Sequence, residues 1–317
     1  TNYTLYKVAM AHNVIRHSSP VPAMKAVKNA AETEGFRRSM IRDGVALVRF
    51  LMWLKPAVER GGQTEITVSE HLRELRAADP MYRDLSFDTI AGYQEHGAIV
   101  HYEATPASDA MLRPEGLILI DSGAHYADGT TDITRTIALG PVTNEQRRVY
   151  TLVLKGHLQL QNLKFPYGAS GTQLDAAARM AMWREGMNFL HGTGHGVGSY
   201  LNVHEGPHQI RMEWRPAPLV PGMTVTDEPG LYLSGRFGVR TENMLMVKDY
   251  METEFGRFLE FEPLTLCPID KTPIIASMLT DEERAWLDDY HRRVYEKLAP
   301  HLQPDECRWL EDACSPL

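Results

Sequence analysis

The chain has few cysteines, no long apolar run and no excess of positive charge. Only three of its 317 residues are cysteines, Cys267, Cys307 and Cys314. So small and odd a number argues against a disulfide framework and favours a reducing compartment. We therefore expect a cytoplasmic protein.

Apolar stretches are also short. The runs 45–48 and 50–54 are separated by Arg49, and both fall well short of the roughly 20 residues that a membrane-spanning helix needs. With 33 basic and 41 acidic residues, the formal net charge is −8, and the basic residues are scattered along the chain. We therefore expect neither a membrane nor a nucleic-acid partner, since the second needs a basic surface.

Composition is otherwise ordinary, with 43% hydrophobic and 23% charged residues, as is typical of a globular protein with a sizeable core. Thr1 stands where an initiator methionine would, and no signal-peptide pattern follows it. We expect a piece of a longer polypeptide, in which residues 1–19 lead in from an upstream region.

Helix and strand patterns alternate along the chain. Helix-forming residues dominate 22–54, with a break expected at Asp43-Gly44 and an end at Pro56. The spacing of Thr67 and Glu70 predicts a capping box for a helix that ends near Ala78. Capping boxes of Thr143 with Gln146 and of Thr280 with Glu283 predict two further helices, and another is predicted over 172–183. Strands are predicted near 99–103, 116–121, 223–228 and 239–247.

Two helical segments each lead into a pair of predicted strands, and each strand pair carries two acidic residues. This coarse duplication indicates two similar halves that face each other. The sequence therefore predicts an α+β fold with antiparallel strands.

The first acidic pair is Asp121 and Asp132, in the segment DSGAHYADGTTDITRT. The pattern predicts a hairpin, so the two carboxylates would lie on neighbouring strands. A two-residue turn at Asp128-Gly129 would place Asp132 opposite His125, however. A wider loop or a bulge is therefore expected if the two carboxylates are to meet.

The second acidic pair is Glu228 and Glu242, in TDEPGLYLSGRFGVRTE. A connection centred on Gly235 would place them directly opposite each other on the ladder. Two like charges at 4 Å repel by roughly 4 kcal/mol in an effective dielectric near 20, so something must compensate for them. Taken alone, each pair also fits a solvated strand face, where acidic residues usually lie.

Histidines are concentrated in one region. Four of the 13 histidines fall within the 18 residues 191–208, at His191, His195, His204 and His208. Glycines at 192, 194, 196 and 198 predict a loop rather than a zinc-binding helix. The loop lacks both phosphate-binding glycine patterns, and His208 alone is interpreted as structural or exposed.

Carboxylates with a single imidazole suit hard divalent ions such as Mn²⁺ better than a structural zinc. If the two acidic pairs converge with His195, two divalent cations would balance four negative charges. Two metals about 3.5–4 Å apart can share a water molecule and lower its pKa. The pattern therefore predicts a dinuclear hydrolytic centre.

The ordered series Asp, Asp, His, Glu, Glu resembles the ligand series of the pita-bread metallopeptidases, which include aminopeptidase P, prolidase and methionine aminopeptidase. The segments DSGAHYADGTTDITRT, HGTGHGVGSYLNVHEGP and TDEPGLY look most like aminopeptidase P, in its long multi-domain cytosolic branch. The resemblance implies a pita-bread catalytic domain over 20–265 and a helical C-terminal extension over 266–317.

The resemblance also implies roles for individual residues. Two divalent cations, most readily Mn²⁺ with Co²⁺ or Zn²⁺ as alternatives, would be bound by Asp121, Asp132, His195, Glu228 and Glu242. Asp132 and Glu242 would bridge the two metals. The remaining catalytic residues would be His101, His191, His204 and Arg240, together with Glu228 as the proton carrier. His125 matches no family role.

The implied reaction is hydrolysis of the peptide bond between an N-terminal residue and a penultimate proline, by a hydroxide held between the metals. Prolidase, which shares the ligands but accepts only dipeptides, remains an alternative. Methionine aminopeptidase and a non-catalytic binding module of the same fold are further alternatives. Members of the family often dimerise, so a homodimer is expected.

Overall fold

The computed structural model describes residues 2–15, 17 and 19–317, so Thr1, on which the expectation of an upstream region rests, lies outside it. The helices of the described residues are α1 (Tyr3–Ala9), α2 (Val21–Ala26), α3 (Ala30–Arg60), α4 (Glu65–Ala77), α5 (Asn144–Gln161), α6 (Gly171–Trp183), α7 (Asp281–Leu298) and α8 (Pro304–Ala313). Short 3-10 turns lie at Gln94–Ala98, Ala276–Met278 and Ala299–His301.

The strands are antiparallel wherever they pair among the described residues. They are β1 (Tyr82–Tyr93), β2 (Leu117–Tyr126), β3 (Gly129–Thr130), β4 (Ile133–Ala138), β5 (Phe165–Pro166), β6 (Gly194–His195), β7 (Gln209–Ile210), β8 (Thr224–Asp227), β9 (Gly230–Leu233), β10 (Phe237–Arg240), β11 (Asn243–Thr253) and β12 (Gly256–Pro263).

Two halves repeat one arrangement, a pair of helices followed by a four-stranded sheet. In the first half, α3 and α4 precede a sheet in which β2 pairs with β1, β3 and β4. In the second half, α5 and α6 precede three strands of a sheet with the order β5-β12-β11-β8, and the short strand β5 lies between the two helices. The predicted α+β class and the predicted duplication are both confirmed.

Each half buries an apolar layer between its helices and its sheet. In the first half, Leu47 and Phe50 of α3 pack in one cluster with Ile118 of β2. In the second half, Leu174 of α6 packs in one cluster with Val225 of β8. This burial is the main force that holds helices onto sheets, at roughly 25 cal/mol per Å² of apolar surface.

The C-terminal helices join the core of the preceding chain. A third cluster combines Phe36 of α3 and Val149 of α5 with Leu287 and Val294 of α7. Thr280 caps α7 by accepting a hydrogen bond from the backbone N–H of Glu283, as the sequence predicts. The division into 20–265 and 266–317 remains a prediction, because packing alone does not mark a domain boundary.

The first long helix differs from its prediction. It runs unbroken for 31 residues, through Asp43-Gly44 and past Pro56. Asp43 is buried and accepts two hydrogen bonds from Arg76 of α4, at 2.8 and 3.1 Å. Gly44 lies where a Cβ would be 2.6 Å from the Leu266 backbone oxygen, so a close approach explains the glycine. Proline costs the helix one hydrogen bond, and burial of the surrounding turns offsets that cost.

Two further predictions are wrong, and one strand was missed. The capping box of α4 is formed by Thr64 with Thr67, three residues earlier than predicted. Residues 99–103 form turns rather than a strand, and the long strand β1 was not predicted. The sequence of β1 alternates poorly because its pairing with β2 shifts register several times, which moves side chains between the two faces.

The described residues were also searched for membrane spans. Within 2–15, 17 and 19–317, no helix combines the length and the apolar character needed to cross a bilayer.

Candidate functional site

A cleft of about 650 Å³ is lined by residues of both halves. The first half contributes part of β1, the turns after it, Asp121 and Asp132. The second half contributes the glycine-rich loop, the segment 203–211, Glu228 and the end of the β9–β10 hairpin. Every residue that the sequence analysis proposed as a ligand or catalytic group lines this cleft.

The first acidic pair meets across the β2–β4 ladder. Asp121 pairs with Thr134, and Asp132 lies two residues before Thr134, so the two carboxylates are diagonal neighbours on one face. The turn lies one residue earlier than predicted, since Tyr126 pairs with Gly129. The expected wider loop or bulge is therefore unnecessary for this hairpin.

The two residues of the second acidic pair lie opposite each other, in the register that the sequence predicts. Arg240 pairs with Gly230 in one ladder, and Asn243 pairs with Asp227 in the next. Both ladders keep the same register, so Glu228 and Glu242 lie opposite each other where the two ladders join. Like charges opposed in this way need compensation.

The two pairs and His195 converge. One ligand atom from each of Asp132, His195 and Glu242 lies within 4.8 Å of the others. The Nε2 atom of His195 lies 3.4 Å from Asp132 Oδ2 and 3.5 Å from Glu228 Oε1. Asp121 is also part of the cluster. Arg240 Nη2 donates to its Oδ2 at 2.6 Å, whereas its buried Oδ1 has no hydrogen-bond partner among the described residues.

Backbone and threonine partners fix the orientation of these ligands. His195 Nδ1 lies 3.0 Å from the Gly196 carbonyl oxygen, so Nδ1 carries the hydrogen and Nε2 is left to face the carboxylates. Metal-ligating histidines commonly have this second contact. The Thr134 hydroxyl donates to Glu242 Oε2 at 2.7 Å, and the Thr226 hydroxyl donates to Glu228 Oε1 at 3.2 Å.

Burial and mutual repulsion make this cluster prefer protons in the absence of a cation. Burial raises the pKa of Asp132 and of Glu242, and it raises the pKa of Glu228 to about 8. Burial alone would lower the pKa of His195, but its hydrogen bond to Asp132 and the charge of Glu228 raise that pKa to about 9. A divalent cation would relieve the same repulsion, and the oxygen-rich donor set with one imidazole fits one.

His191 is tied to the protein through both ring nitrogens. Its Nδ1 lies 2.7 Å from the Gly192 carbonyl oxygen, and its Nε2 lies 2.8 Å from the Tyr232 hydroxyl. Arg240 Nη1 donates to the same hydroxyl oxygen at 2.8 Å. Burial lowers the pKa of His191 to about 4, so the ring is neutral near pH 7 and accepts the tyrosine proton at Nε2.

His101 and His204 are exposed residues that line the cleft. The His204 ring meets the His195 ring edge-on, with centroids 4.2 Å apart. Although the residue is exposed overall, partial desolvation of its imidazole in the cleft, followed by the neighbouring charge of His195, lowers the pKa of His204 to about 4. His101 lies on turns instead of the predicted strand.

Two other histidines lie outside the cluster. Buried His208 has its Nε2 2.7 Å from the Thr224 carbonyl oxygen, which agrees with its interpretation as structural. His125 has its Nδ1 3.0 Å from Thr130 Oγ1 and its ring edge-on to Tyr200, and it does not line the cleft.

Three contributing residues were missed from sequence. Tyr232 links His191 to Arg240, and Thr134 and Thr226 orient the two glutamates. Strand periodicity held a signal for the threonines, because each lies two residues from an acidic residue and so shares its face. Tyr232 lies in the quoted segment TDEPGLY, but nothing in that segment alone indicates its hydrogen bonds.

Comparisons with known proteins agree with this geometry. The model of metallopeptidase family M24 matches residues 34–249, and the model of the C-terminal region of peptidase M24 matches residues 257–317. The chain is 44% identical over 307 residues to a probable Xaa-Pro aminopeptidase P of Laccaria bicolor, covering 94% of this chain and 48% of that protein. It is 42% identical over 342 residues to aminopeptidase P1 of Arabidopsis thaliana, covering 99% of this chain and 53% of that protein.

A solved structure is also similar. The X-prolyl aminopeptidase of Caenorhabditis elegans, described as a cytosolic enzyme with a dinuclear active site, superposes with a TM-score of 0.90 at 41% identity. The match covers 95% of this chain and 50% of that one. The predicted pita-bread fold is therefore confirmed. The chain spans about half the length of the curated relatives it matches.

Proposed function

The chain belongs to metallopeptidase family M24, and on that premise we propose that it is the catalytic part of a metal-dependent Xaa-Pro aminopeptidase. Its substrates are peptides with proline at the second position, from which it releases the N-terminal residue. The names of the relatives support the proline specificity. The convergence of Asp132, His195 and Glu242 within 4.8 Å is the observation that carries the hydrolytic activity.

Five residues would hold the cations. The ligands are Asp121, Asp132, His195, Glu228 and Glu242, as in the resemblance stated above. Two divalent cations bound there would lower the pKa of a water molecule and polarise the scissile carbonyl. Arg240 keeps Asp121 in place by donating to Oδ2, which leaves the unpartnered Oδ1 free to bind.

Proton transfer is assigned to Glu228. Its Oε1 accepts from Thr226, and its Oε2 lies 4.0 Å from His191 Nδ1, so its carboxylate is held at the wall of the cleft. There it takes a proton from the attacking water and passes it to the departing prolyl nitrogen. The bond before proline has no N–H, so no acceptor is needed at that nitrogen before the transfer.

The histidines and Arg240 bind the substrate or orient the residues around it. His204 is neutral near pH 7 and donates an imidazole N–H to the oxygen that becomes negative during attack. His101 lines the same cleft and orients the peptide. His191 has both ring nitrogens engaged by the protein, so it acts by fixing Tyr232 and, through it, Arg240.

We also propose Mn²⁺ as the native cation, a homodimer and a cytoplasmic location. The hard donor set supports Mn²⁺, although Co²⁺ and Zn²⁺ bind similar ligands. The description of the nematode enzyme as cytosolic and the three free cysteines support the location. Dimerisation rests on the family resemblance alone. The catalytic domain is assigned to 20–265 and the extension to 266–317.

A peptide assay tests the proposal. The metal-free chain is incubated with Mn²⁺ and with each of Ala-Pro-Ala, Ala-Ala-Ala and Ala-Pro, and the products are separated by chromatography. We expect alanine to be released from Ala-Pro-Ala only when Mn²⁺ is present, and Ala-Ala-Ala to stay intact.

The same assay separates the alternatives. Cleavage of Ala-Pro without cleavage of Ala-Pro-Ala would identify a prolidase. No cleavage by a chain that metal analysis finds loaded with Mn²⁺ would overturn the proposed activity in favour of a binding module.

A further inference from the structure

Glu65, the first residue of α4, is a fully buried carboxylate outside the metal cluster. Buried carboxylates are costly unless they are paired and hydrogen-bonded. Within the described part of the chain, no lysine or arginine nitrogen lies within 4 Å of its oxygens, and His96 is its one ion-pair partner. The burial of Glu65 therefore needs another explanation.

Four donors from one segment of chain converge on this carboxylate. Oε1 accepts from the Tyr93 backbone N–H at 2.7 Å and from His96 Nδ1 at 2.9 Å. Oε2 accepts from the Tyr102 hydroxyl at 2.9 Å and from the Ala110 backbone N–H at 3.0 Å. One side chain thus fixes residues 93–110 at four points.

This segment, residues 93–110, carries the cleft wall that contains His101. Residues 100–103 all line the cleft, and Tyr102, which follows His101, is one of the two residues that Glu65 binds through their side chains. The Tyr102 ring stacks on the His96 ring with centroids 4.5 Å apart. Burial raises the pKa of Tyr102 to about 12, so the phenol keeps the proton that it donates.

We propose that Glu65 is a positioning residue of the candidate active site, which holds the segment 93–110 so that His101 lines the substrate cleft. The inference rests on the proposed function for its effect on catalysis, but not for its effect on the loop. It assigns no contact between Glu65 and substrate, and acts through Tyr102 and the backbone.

Both side-chain oxygens of Glu65 have to act as acceptors, because each one accepts two hydrogen bonds. A glutamine would keep the size of the side chain, but its NH₂ group would face two donors at one of the two oxygen positions. Donors that are left unsatisfied in a buried site cost more than the lost bond itself. Glu65→Gln is therefore expected to release one side of the loop without removing bulk from the core.

Peptide kinetics test the effect on the site. Glu65→Gln is compared with Glu70→Gln, which makes the same charge change on an exposed position of the same helix. We expect kcat/KM for Ala-Pro-Ala to fall by about 10- to 100-fold in Glu65→Gln, as small misplacements of a binding group do, and to stay unchanged in Glu70→Gln. An unchanged value in a folded Glu65→Gln protein would overturn the proposal.

A double-mutant cycle separates positioning from general destabilisation. If Glu65 acts through His101, Glu65→Gln should reduce kcat/KM by less than about 2-fold further in a His101→Ala background, because interacting residues are not additive. The same loss in both backgrounds would mean that Glu65 does not act through His101. Should Glu65→Gln fail to fold, Tyr102→Phe, which removes one hydroxyl and keeps the stacked ring, takes its place in the cycle.

Hydrogen exchange tests the loop without any activity. Amides of residues 93–110 should exchange faster in Glu65→Gln than in the wild type, and at the wild-type rate in Glu70→Gln. Unchanged protection in Glu65→Gln would overturn the proposal even if the wild type hydrolyses peptides. If the wild type does not hydrolyse peptides but exchange is still faster in Glu65→Gln, the loop assignment stands and the result counts only against the proposed function.

Discussion

The two walls of the cleft are held in place by different means. The acidic residues lie on or beside paired strands, where ladder register sets each side chain relative to its partner. The other wall carries His101, His191 and His204 on loops and turns, where no ladder fixes them. The comparison teaches that local pairing builds the ligand wall, whereas remote buried anchors hold the segments of the histidine wall that carry His101 and His191.

Arg179 of α6 illustrates such an anchor. It is buried, it pairs with Asp175 at 2.6 Å, and it donates to the carbonyl oxygens of Phe189 and His191 at 2.6 and 3.0 Å. Asp175 in turn accepts from the Thr193 hydroxyl. One ion pair on a helix therefore holds the start of the glycine-rich loop.

Replacing Glu228 with glutamine should have the largest effect on activity, because it removes the proposed proton carrier from the ligand wall. We expect turnover to fall by about 10²- to 10⁴-fold with the fold retained. Steady-state kinetics and circular dichroism measure the two quantities. Glu252→Gln, an exposed position on β11, is the matched control. Hydrolysis at the wild-type rate would remove Glu228 from its assigned role.

Removing Arg179, which anchors the histidine wall, should lower the stability of the folded protein. In Arg179→Met, Asp175 would stay buried without its partner, and we expect the free energy of unfolding to fall by about 3–5 kcal/mol. Urea unfolding followed by fluorescence measures this quantity. The control is Arg184→Met at the exposed C-terminal end of the same helix, where little change is expected. Equal losses in the two variants would contradict the anchoring role.

Cation binding should stabilise the ligand wall in a pH-dependent way. The pKa of Glu228 rises from 4.5 to about 8 on folding, so between these values the folded chain binds more protons than the unfolded chain. Stability of the metal-free protein therefore falls as the pH rises through this interval. His195, with its pKa raised to about 9, acts in the same direction above pH 6.5.

Mn²⁺ competes with these protons, so its stabilising effect should grow as the pH rises. At 100 times its dissociation constant, a cation stabilises the folded state by about 2.7 kcal/mol. Thermal unfolding at a fixed Mn²⁺ concentration should thus show a larger increase in Tm at pH 8 than at pH 5.5. The chelated protein serves as the reference at each pH. Equal increases at both values would argue against Glu228 as a ligand.

The smallest effect concerns the contact between the two walls. A Cβ on Gly194 would lie 1.9 Å from the Thr226 backbone oxygen, whereas a Cβ on Gly192 would meet nothing closer than 3.5 Å. We expect Gly194→Ala to reduce the free energy of unfolding by about 1–3 kcal/mol through overpacking. Gly192→Ala should be near neutral, and urea midpoints distinguish the two. A neutral Gly194→Ala would show that the loop can move away from β8 at little cost.

Features that depend on neighbouring residues could be predicted from the sequence. The caps at Thr143 and Thr280 and the opposition of Glu228 and Glu242 follow from short-range spacing. The position of the β2–β3 turn was off by one residue, because turn preference does not settle the register. The unbroken α3 and the irregular β1 could not be predicted, because distant contacts override their local patterns.

The sequence by itself determined which residues are offered as ligands, in what order, and how the second acidic pair, Glu228 and Glu242, is registered. Hydrogen bonding between adjacent strands is sufficient for this, because it repeats with a fixed period along the chain. Only the tertiary structure decided that the halves meet, and that Glu65 holds groups 28 to 45 residues away. Such contacts depend on the three-dimensional packing of separate apolar layers, which no short-range pattern encodes.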